Sequence, residues 1–380
     1  MSPTGRQVMG SPSWEPGLTW GRFLRHAPQC RGGVRGLSAL GPLRLSVSQP
    51  PHARPPSYSH RRPGIRGRDW RPGRGLRWAW PRHLEVDGTR GVREPNVNRE
   101  RCRGPRGDRG EAMKFLQLFG RLRSVVIGMV HLKALPGTPR CTSSVGQILE
   151  EACKEAEIYR KAGIDGLMVE NMNDVPYTLH VGPEVTASMA AVCAAVRQTC
   201  PQLPLGVQVL ACANQQALAV ALAAGLDFIR AESFVFSHVA DEGLVSACAG
   251  DLLRYRKAVG AEHVQIFADI KKKHSSHAVT ADVTISETAK AAEFFLADGV
   301  ILTGVATGQE ADPRELKEVQ RCVQIPVLVG SGVTLDNLEK YSDASALIVG
   351  SYFKRGGDWR NNVDYEKVMT FMDKVNKLRD

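Results

Sequence analysis

The sequence predicts an α/β protein: a single (β/α)8 barrel over residues 113–380, preceded by a disordered, low-complexity basic segment over residues 1–112. Three observations carry this reading. Apolar runs of four to seven residues alternate with helix-length stretches eight times after residue 124. The 268 residues involved are close to the roughly 250 of a typical eight-unit barrel. The last two runs, 326–329 and 346–349, each stop at Gly-Ser, the small-residue ending of a buried parallel strand whose tip approaches a ligand. A doubly wound open sheet is the alternative architecture, but eight consecutive units favour closure.

The elements follow in order. Strand 125–130 leads to helix 145–162, strand 166–170 to helix 183–199, and strand 205–210 to helix 215–224. Strand 228–232 leads through a loop to helix 250–259, strand 264–270 to helix 286–297, and strand 299–302 to helix 313–323. Strand 326–329 leads to a short helix 335–340, and strand 346–349 to helix 365–378. Ala-Gly at 162–163 and 224–225 closes helices, and Asp312-Pro313 opens one in the order of N-cap and first helical residue.

Charge separates the two segments. The chain carries a formal +11, yet residues 1–112 hold 22 Arg, no Lys and eight acids, a balance of +14 that leaves −3 for the rest. A basic-patch argument for nucleic acid therefore concerns the first segment alone, and no nucleic-acid partner is expected for the barrel. That segment also holds 14 of the 22 Pro and five of the six Trp. Pro and Gly interrupt every period there, and too little apolar surface is available to offset the entropy of ordering.

Three readings of this segment compete. One is an Arg/Trp-rich arm for RNA or an anionic membrane. Another is a mitochondrial transit peptide, because residues 21–49 carry Arg and Ser and no acid. The third is an extension ahead of a start at Met113, with a cytosolic protein as the alternative location. No apolar stretch reaches the roughly 18 residues of a membrane span. Cys141, Cys153, Cys193, Cys200, Cys212, Cys248 and Cys322 are scattered, odd in number and form no CxxC. They read as buried small hydrophobes in a reducing compartment.

Barrel strands alternate side chains between the lumen and the helix layer. In strand five, Val264, Ile266, Ala268 and Ile270 share the helix-facing parity, which leaves Gln265, Phe267, Asp269 and Lys271 for the lumen. The same alternation aims His131, Glu170, Gln208, Arg230, Glu232 and Thr303 toward the C-terminal mouth, where barrel active sites lie. Any one of these alone fits a structural carboxylate or cation. Six strands converging polar groups on one mouth is costly without a purpose.

Several chemistries suit this set. Asp269 two residues before Lys271 holds that amine charged and aimed, and with Glu170 the three form the expected catalytic group, as general acid and base beside an electrostatic stabiliser. A desolvated lysine there also suits a Schiff base with a carbonyl. His131, Glu170, Glu232 and Asp269 are the expected ligands if a divalent metal is bound. His274 and His277 read as surface histidines of an active-site loop, and of Lys271, Lys272 and Lys273 only Lys271 has the parity to point inward. Gly330, Ser331 and Gly332 after strand seven, with Gly350 and Ser351 after strand eight, form the expected phosphate grip, with Thr303 and Arg230 assisting; glycine lets backbone N–H groups approach an anion.

The body resembles the BtpA family, named for a cyanobacterial protein of photosystem I biogenesis. The matching stretches are GMVHLKALPG (128–137), GIDGLMVENMNDVPY (163–177), GLDFIRAESF (225–234), FADIKKKHS (267–275), LTGVATG (302–308) and VLVGSGVT (327–334). The resemblance implies a TIM barrel of the ribulose-phosphate-binding type and supplies no reaction. Two functions remain: an enzyme acting on a sugar- or nucleoside-phosphate-like molecule by lyase, isomerase or aldol-type chemistry, with a homo-oligomer compatible, or a non-catalytic assembly factor for a protein complex. Fold alone decides neither.

Overall fold

The structure, a computed structural model, describes residues 109–379. Eight parallel strands close on one another in chain order: β1 Val125–His131, β2 Gly166–Glu170, β3 Leu205–Gln208, β4 Phe228–Ala231, β5 Gln265–Ile270, β6 Gly299–Leu302, β7 Val327–Val329 and β8 Ala346–Val349. The first and last strands pair from Val125↔Ala346 to Gly128↔Val349, so the sheet has no edge and the open-sheet alternative falls. Strands β3 and β4 stop at Gln208 and Ala231, short of the expected ends, and β1 runs on to His131.

The described helices are α1 Arg109–Phe119, α2 Val145–Lys161, α3 Pro183–Thr199, α4 Asn214–Ala224, α5 Ala249–Ala258, α6 Ile285–Phe294, α7 Pro313–Cys322 and α8 Tyr365–Arg379. Helices α2 to α7 follow β1 to β6, and α8 follows β8. The helix expected at 335–340 is instead a 3-10 turn, Leu338–Tyr341. Asn337 Oδ1 accepts the Thr334 N–H at 2.8 Å and its Nδ2 donates to the Gly332 carbonyl at 2.9 Å. Such local bonds compete with helix formation.

Helix α1 corrects the expected boundary at residue 112. The expectation of disorder for residues 1–108 lies outside the described residues, but residues 109–112 are the first turn of α1. This helix closes the floor of the barrel. Phe115 and Phe119 enter the lumen, with ring centroids 6.0 Å from Phe267 and 5.9 Å from Phe228 respectively. Together with Val125, Ile127, Met168, Ile301, Leu328 and Ile348 they form the inner core. Room for the rings comes from lumen-facing glycines: a Cβ on Gly206 would lie 2.1 Å from the Phe228 ring. The second core, between strands and helices, includes Val264, Ile266, Ala268 and Ile270, as the alternation of β5 requires.

A recurring side chain ties neighbouring strands at their N-terminal ends. The residue just before β2, Asp165, accepts the Val126 N–H of β1 at 2.7 Å. Asp227 before β4 accepts the Leu205 N–H of β3 at 2.8 Å, and Asp298 before β6 accepts the Ile266 N–H of β5 at 2.8 Å. Ser345 before β8 does the same for Val327 of β7 at 3.2 Å. Arg379, Arg197 and Arg256 neutralise the three carboxylates.

Over the mouth, short strands His238–Ala240, Gly243–Val245 and Ser275–Ser276 form an antiparallel ribbon that joins the loops after β4 and β5. No helix among the described residues is long and apolar enough to cross a membrane.

Candidate active site

The C-terminal ends of the strands surround a cavity of about 150 Å³. Met129, His131, Glu170, Arg230 and Lys273 line it together with Gly330, Ser331, Gly332, Gly350 and Ser351. The alternation read from the sequence thus brings His131, Glu170 and Arg230 to one space from β1, β2 and β4. Glu232 and Asp269 are buried and lie outside the cavity lining.

His131 and Glu170 form the first pair. The His131 Nδ1 lies 3.1 Å from the Trp359 carbonyl, to which it can only donate, so Nε2 is left as the acceptor. That Nε2 faces Glu170 Oε2 at 3.5 Å. Burial, helped by Lys354, pushes the His131 pKa down to about 3, so the ring is neutral. Burial raises the Glu170 carboxyl above its ordinary value against the pull of Lys273 and Arg230. The raised Glu170 carboxyl and the open imidazole lone pair are placed to exchange a proton.

Arg230 and Asp269 form the second pair. Arg230 Nε lies 3.2 and 3.1 Å from the two Asp269 oxygens, and Nη2 lies 3.0 Å from Oδ1. Both side chains are buried. Asp269, expected to carry protons, has both oxygens on the guanidinium and instead fixes its charge and direction. Glu232 is likewise engaged: Oε2 accepts the Cys212 N–H at 2.9 Å, and Oε1 lies 3.6 Å from Lys272 Nζ.

The lysine expectation is corrected. Residue 271 adopts φ 51°, in the left-handed region, and this breaks the alternation of β5. The Lys271 ammonium turns to the Thr280 carbonyl at 3.1 Å, Lys272 turns to Glu232, and Lys273 enters the cavity. Burial and the nearby Arg230 push the Lys273 pKa down, against the carboxylates of Glu170 and Asp269. Among the described residues its Nζ has no ion pair or hydrogen bond. Its backbone N–H donates to Thr303 Oγ1 at 3.2 Å, so Thr303 supports this lysine and lies outside the cavity lining.

The glycine loops lie where the sequence placed them, with one change of role. The Ser331 hydroxyl donates to the carbonyls of Gln309, at 2.8 Å, and Ala306, at 3.2 Å, and ties two loops together. It is therefore turned away from any ligand. The N–H groups of Ser331, Gly332 and Val333 have no acceptor among the described residues. Gly332 sits at φ 69°, and a Cβ there would meet the Gln309 backbone at 2.2 Å. Gly350 stands 3.2 Å, measured from an added Cβ, from the His131 ring.

The four residues expected to hold a metal do not converge as a ligand set. Asp269 faces Arg230 and Glu232 faces Cys212 and Lys272, which leaves only His131 and Glu170 adjacent. Among the described residues no group of three His, Cys, Asp or Glu is arranged to hold a metal ion. His274 and His277 are also separated in role: His274 Nε2 accepts the Thr307 N–H at 3.1 Å, while His277 Nε2 lies 2.9 Å from the Lys272 carbonyl.

Three residues brace the cavity in ways that no spacing in the sequence signals. Trp359 reaches His131 from 228 residues away. His274 fastens the 304–308 loop, which brings Thr307 and Gly308 to the cavity. Asn171, inside the ENMND stretch, bonds Asp174 at 2.8 Å and both backbone groups of Leu210, at 2.7 and 3.2 Å, bracing the loop after β2.

Comparison with known proteins adds the following. The BtpA family model matches residues 122–377. The Caenorhabditis elegans protein F13E9.13, described as mitochondrial, is 49% identical over 268 residues, covering 69% of this chain and 97% of that protein. The photosystem I biogenesis protein BtpA of Synechocystis is 33% identical over 264 residues, covering 69% of this chain and 91% of its own length. Among solved structures, phosphoribosyl anthranilate isomerase from Thermus thermophilus superposes with a TM-score of 0.42 and 13% identity, over 67% of this chain and all of that one.

Proposed function

The chain belongs to the BtpA family, and from that premise and the geometry of the barrel mouth we propose that it is an enzyme acting on a phosphorylated small molecule. The observation that carries the reading is the mixed lining of one cavity. The unbonded N–H groups of Ser331, Gly332 and Val333 after β7, with Gly350 after β8, share it with a proton-transfer pair and two cations from β1, β2, β4 and the loop after β5. Backbone donors suit a phosphate, and a raised Glu170 beside a neutral His131 suits proton transfer at a carbon or oxygen of the same ligand. Arg230, held by Asp269, supplies fixed positive charge for an enolate or alkoxide that forms between them. The reaction class is a lyase, isomerase or aldol-type step.

The test is thermal stabilisation by a panel of sugar and nucleoside phosphates, with Ser351→Asp placing a carboxylate in the grip. A ligand at about 100 times its Kd adds about 2.7 kcal/mol, a rise of about 5 °C or more for a domain of this size. The rise is expected in the wild type and not in Ser351→Asp. If no phosphorylated compound raises the midpoint, the reading is lost. We propose a mitochondrial location on the strength of the C. elegans relative and the acid-free stretch at 21–49; fluorescence of the tagged full chain tests it.

The second reading, a non-catalytic assembly factor, draws on the name of the Synechocystis relative and on one surface feature. Phe294, Phe295 and Leu296 are exposed where α6 ends, with Leu296 at φ 64°, beside Leu253 of α5. It gains if ligands bind yet Glu170→Gln leaves every measured turnover unchanged.

A further inference from the structure

Resting on the reading of this cavity as an acid–base active site, we infer that Lys273 is an imine-forming amine and that the substrate class is a phosphorylated aldehyde or ketone. Lys273 is the one lysine among the described residues that lines the cavity. Its two neighbours are occupied, Lys271 by the Thr280 carbonyl and Lys272 by Glu232. The chain reaches this arrangement through left-handed residues on either side, Lys271 at φ 51° and His274 at φ 53°. The backbone between them is clamped to β6 by the Lys273 N–H on Thr303 Oγ1. So much local constraint delivers an amine with no carboxylate or carbonyl partner.

A lysine that serves only as a positive charge works best fully protonated and paired. This one has Arg230 beside it, and Arg230 already carries the buried positive charge opposite Asp269. Burial and that neighbour both favour the neutral amine, the form that attacks a carbonyl. The needed proton carriers are also in place, with Glu170 and the His131 Nε2 3.5 Å apart in the same cavity.

The Nζ lone pair forms a bond to the carbonyl carbon, and the carbonyl π electrons move to oxygen, which takes a proton from Glu170. The nitrogen loses a proton to His131 or Glu170. A second proton, given back by the same pair, reaches the hydroxyl, and water leaves with the C=N bond protonated. Amine, carbonyl and one proton from Glu170 give the iminium and one water, with no oxidant or reductant. The iminium then withdraws electrons from the adjacent carbon, so that Glu170 with His131 can remove or return a proton there. The glycine loops that line the same cavity hold the phosphate.

Borohydride trapping tests this on the full chain. Glycolaldehyde phosphate and dihydroxyacetone phosphate are the probes, each compared with its phosphate-free analogue, and the product is read by intact mass and peptide mapping. The expected result is a borohydride-dependent adduct on Lys273, at least tenfold above that in Lys273→Arg and unchanged in Lys271→Ala. It is at least tenfold weaker with the phosphate-free probes. Urea midpoints of both variants confirm that they are folded. Thermal stabilisation by phosphorylated compounds with no adduct on Lys273 overturns the imine and leaves the proposed function standing. An adduct spread evenly over surface lysines overturns it as well. Absence of both stabilisation and adduct removes the proposed function and this inference together.

Discussion

Glu170 Oε2 and His131 Nε2 stand 3.5 Å apart at the ends of adjacent strands, and the far nitrogen of the same imidazole is anchored on the Trp359 carbonyl. The anchor sets the tautomer, and the tautomer leaves Nε2 as an acceptor facing the carboxyl. This is a pH-dependent arrangement with a calculable sign.

A histidine whose folded pKa is depressed, here to about 3, costs nothing above the ordinary value near 6.5. Below that value the unfolded chain binds a proton that the folded chain does not. Stability therefore falls as pH drops from about 6.5 toward 3, by up to about 1.4 kcal/mol per pH unit. The raised Glu170 acts in the opposite sense, being stabilised as pH falls. Wild type should lose stability relative to His131→Asn between pH 7 and pH 5, read as urea midpoints. A gap between the two that stays constant with pH would show that His131 is not buried neutral.

Removing one partner of the Arg230–Asp269 pair should be far worse than removing both. Asp269→Asn leaves a buried guanidinium uncompensated, at about 3–5 kcal/mol. In the double variant Arg230→Met/Asp269→Leu much of that loss should return, because the buried charge is gone. Chemical denaturation of Arg230→Met, Asp269→Leu and their double variant against the wild type measures the cycle. Additive single effects would mean that the two residues are not coupled.

Phe115 tests the floor. It is fully buried against Phe267 and Phe119, so Phe115→Ala should cost about 3–5 kcal/mol. Ligand-induced stabilisation should survive, since the cavity lies at the other end of the lumen. A near-neutral result would show that α1 does not plug the barrel.

His274→Ala should free the loop after β6. The Thr307 N–H loses its acceptor, and one lost hydrogen bond of about 1 kcal/mol corresponds to roughly fivefold faster amide exchange. Hydrogen exchange at constant pH reads this at residues 304–308. Unchanged rates would remove His274 as the fastener of the loop.

The barrel was legible because closure imposes one rule, alternation, on every strand. The lumen positions of His131, Glu170, Arg230 and Phe267 follow from that rule alone. It failed where the backbone departs from a strand. The left-handed turn at Lys271 shifts the inward lysine from 271 to 273, and three consecutive lysines offer no pattern to signal the shift. The Ser331 hydroxyl was misjudged for a similar reason: its partners, Ala306 and Gln309, belong to another loop, and nothing local marks them. Helix α1 was hidden because its first residues share the Arg- and Gly-rich composition of the preceding segment. Its role depends on two phenylalanines meeting rings more than 100 residues away.

The carboxylates before β2, β4 and β6, with the serine before β8, bind the preceding strand in each case. The molecule is thus stapled as four quarter-barrels, three of them strand–helix–strand units and the last joined by a 3-10 turn, each with its own clasp on the rim opposite the cavity. A circular permutant opened at residues 201–204 leaves every clasp within one quarter. One opened between Ala224 and Asp227 cuts through a clasp. The architecture carries its durability on one rim and the candidate site on the other, so a mutational library confined to the mouth leaves the clasps that keep the barrel closed untouched.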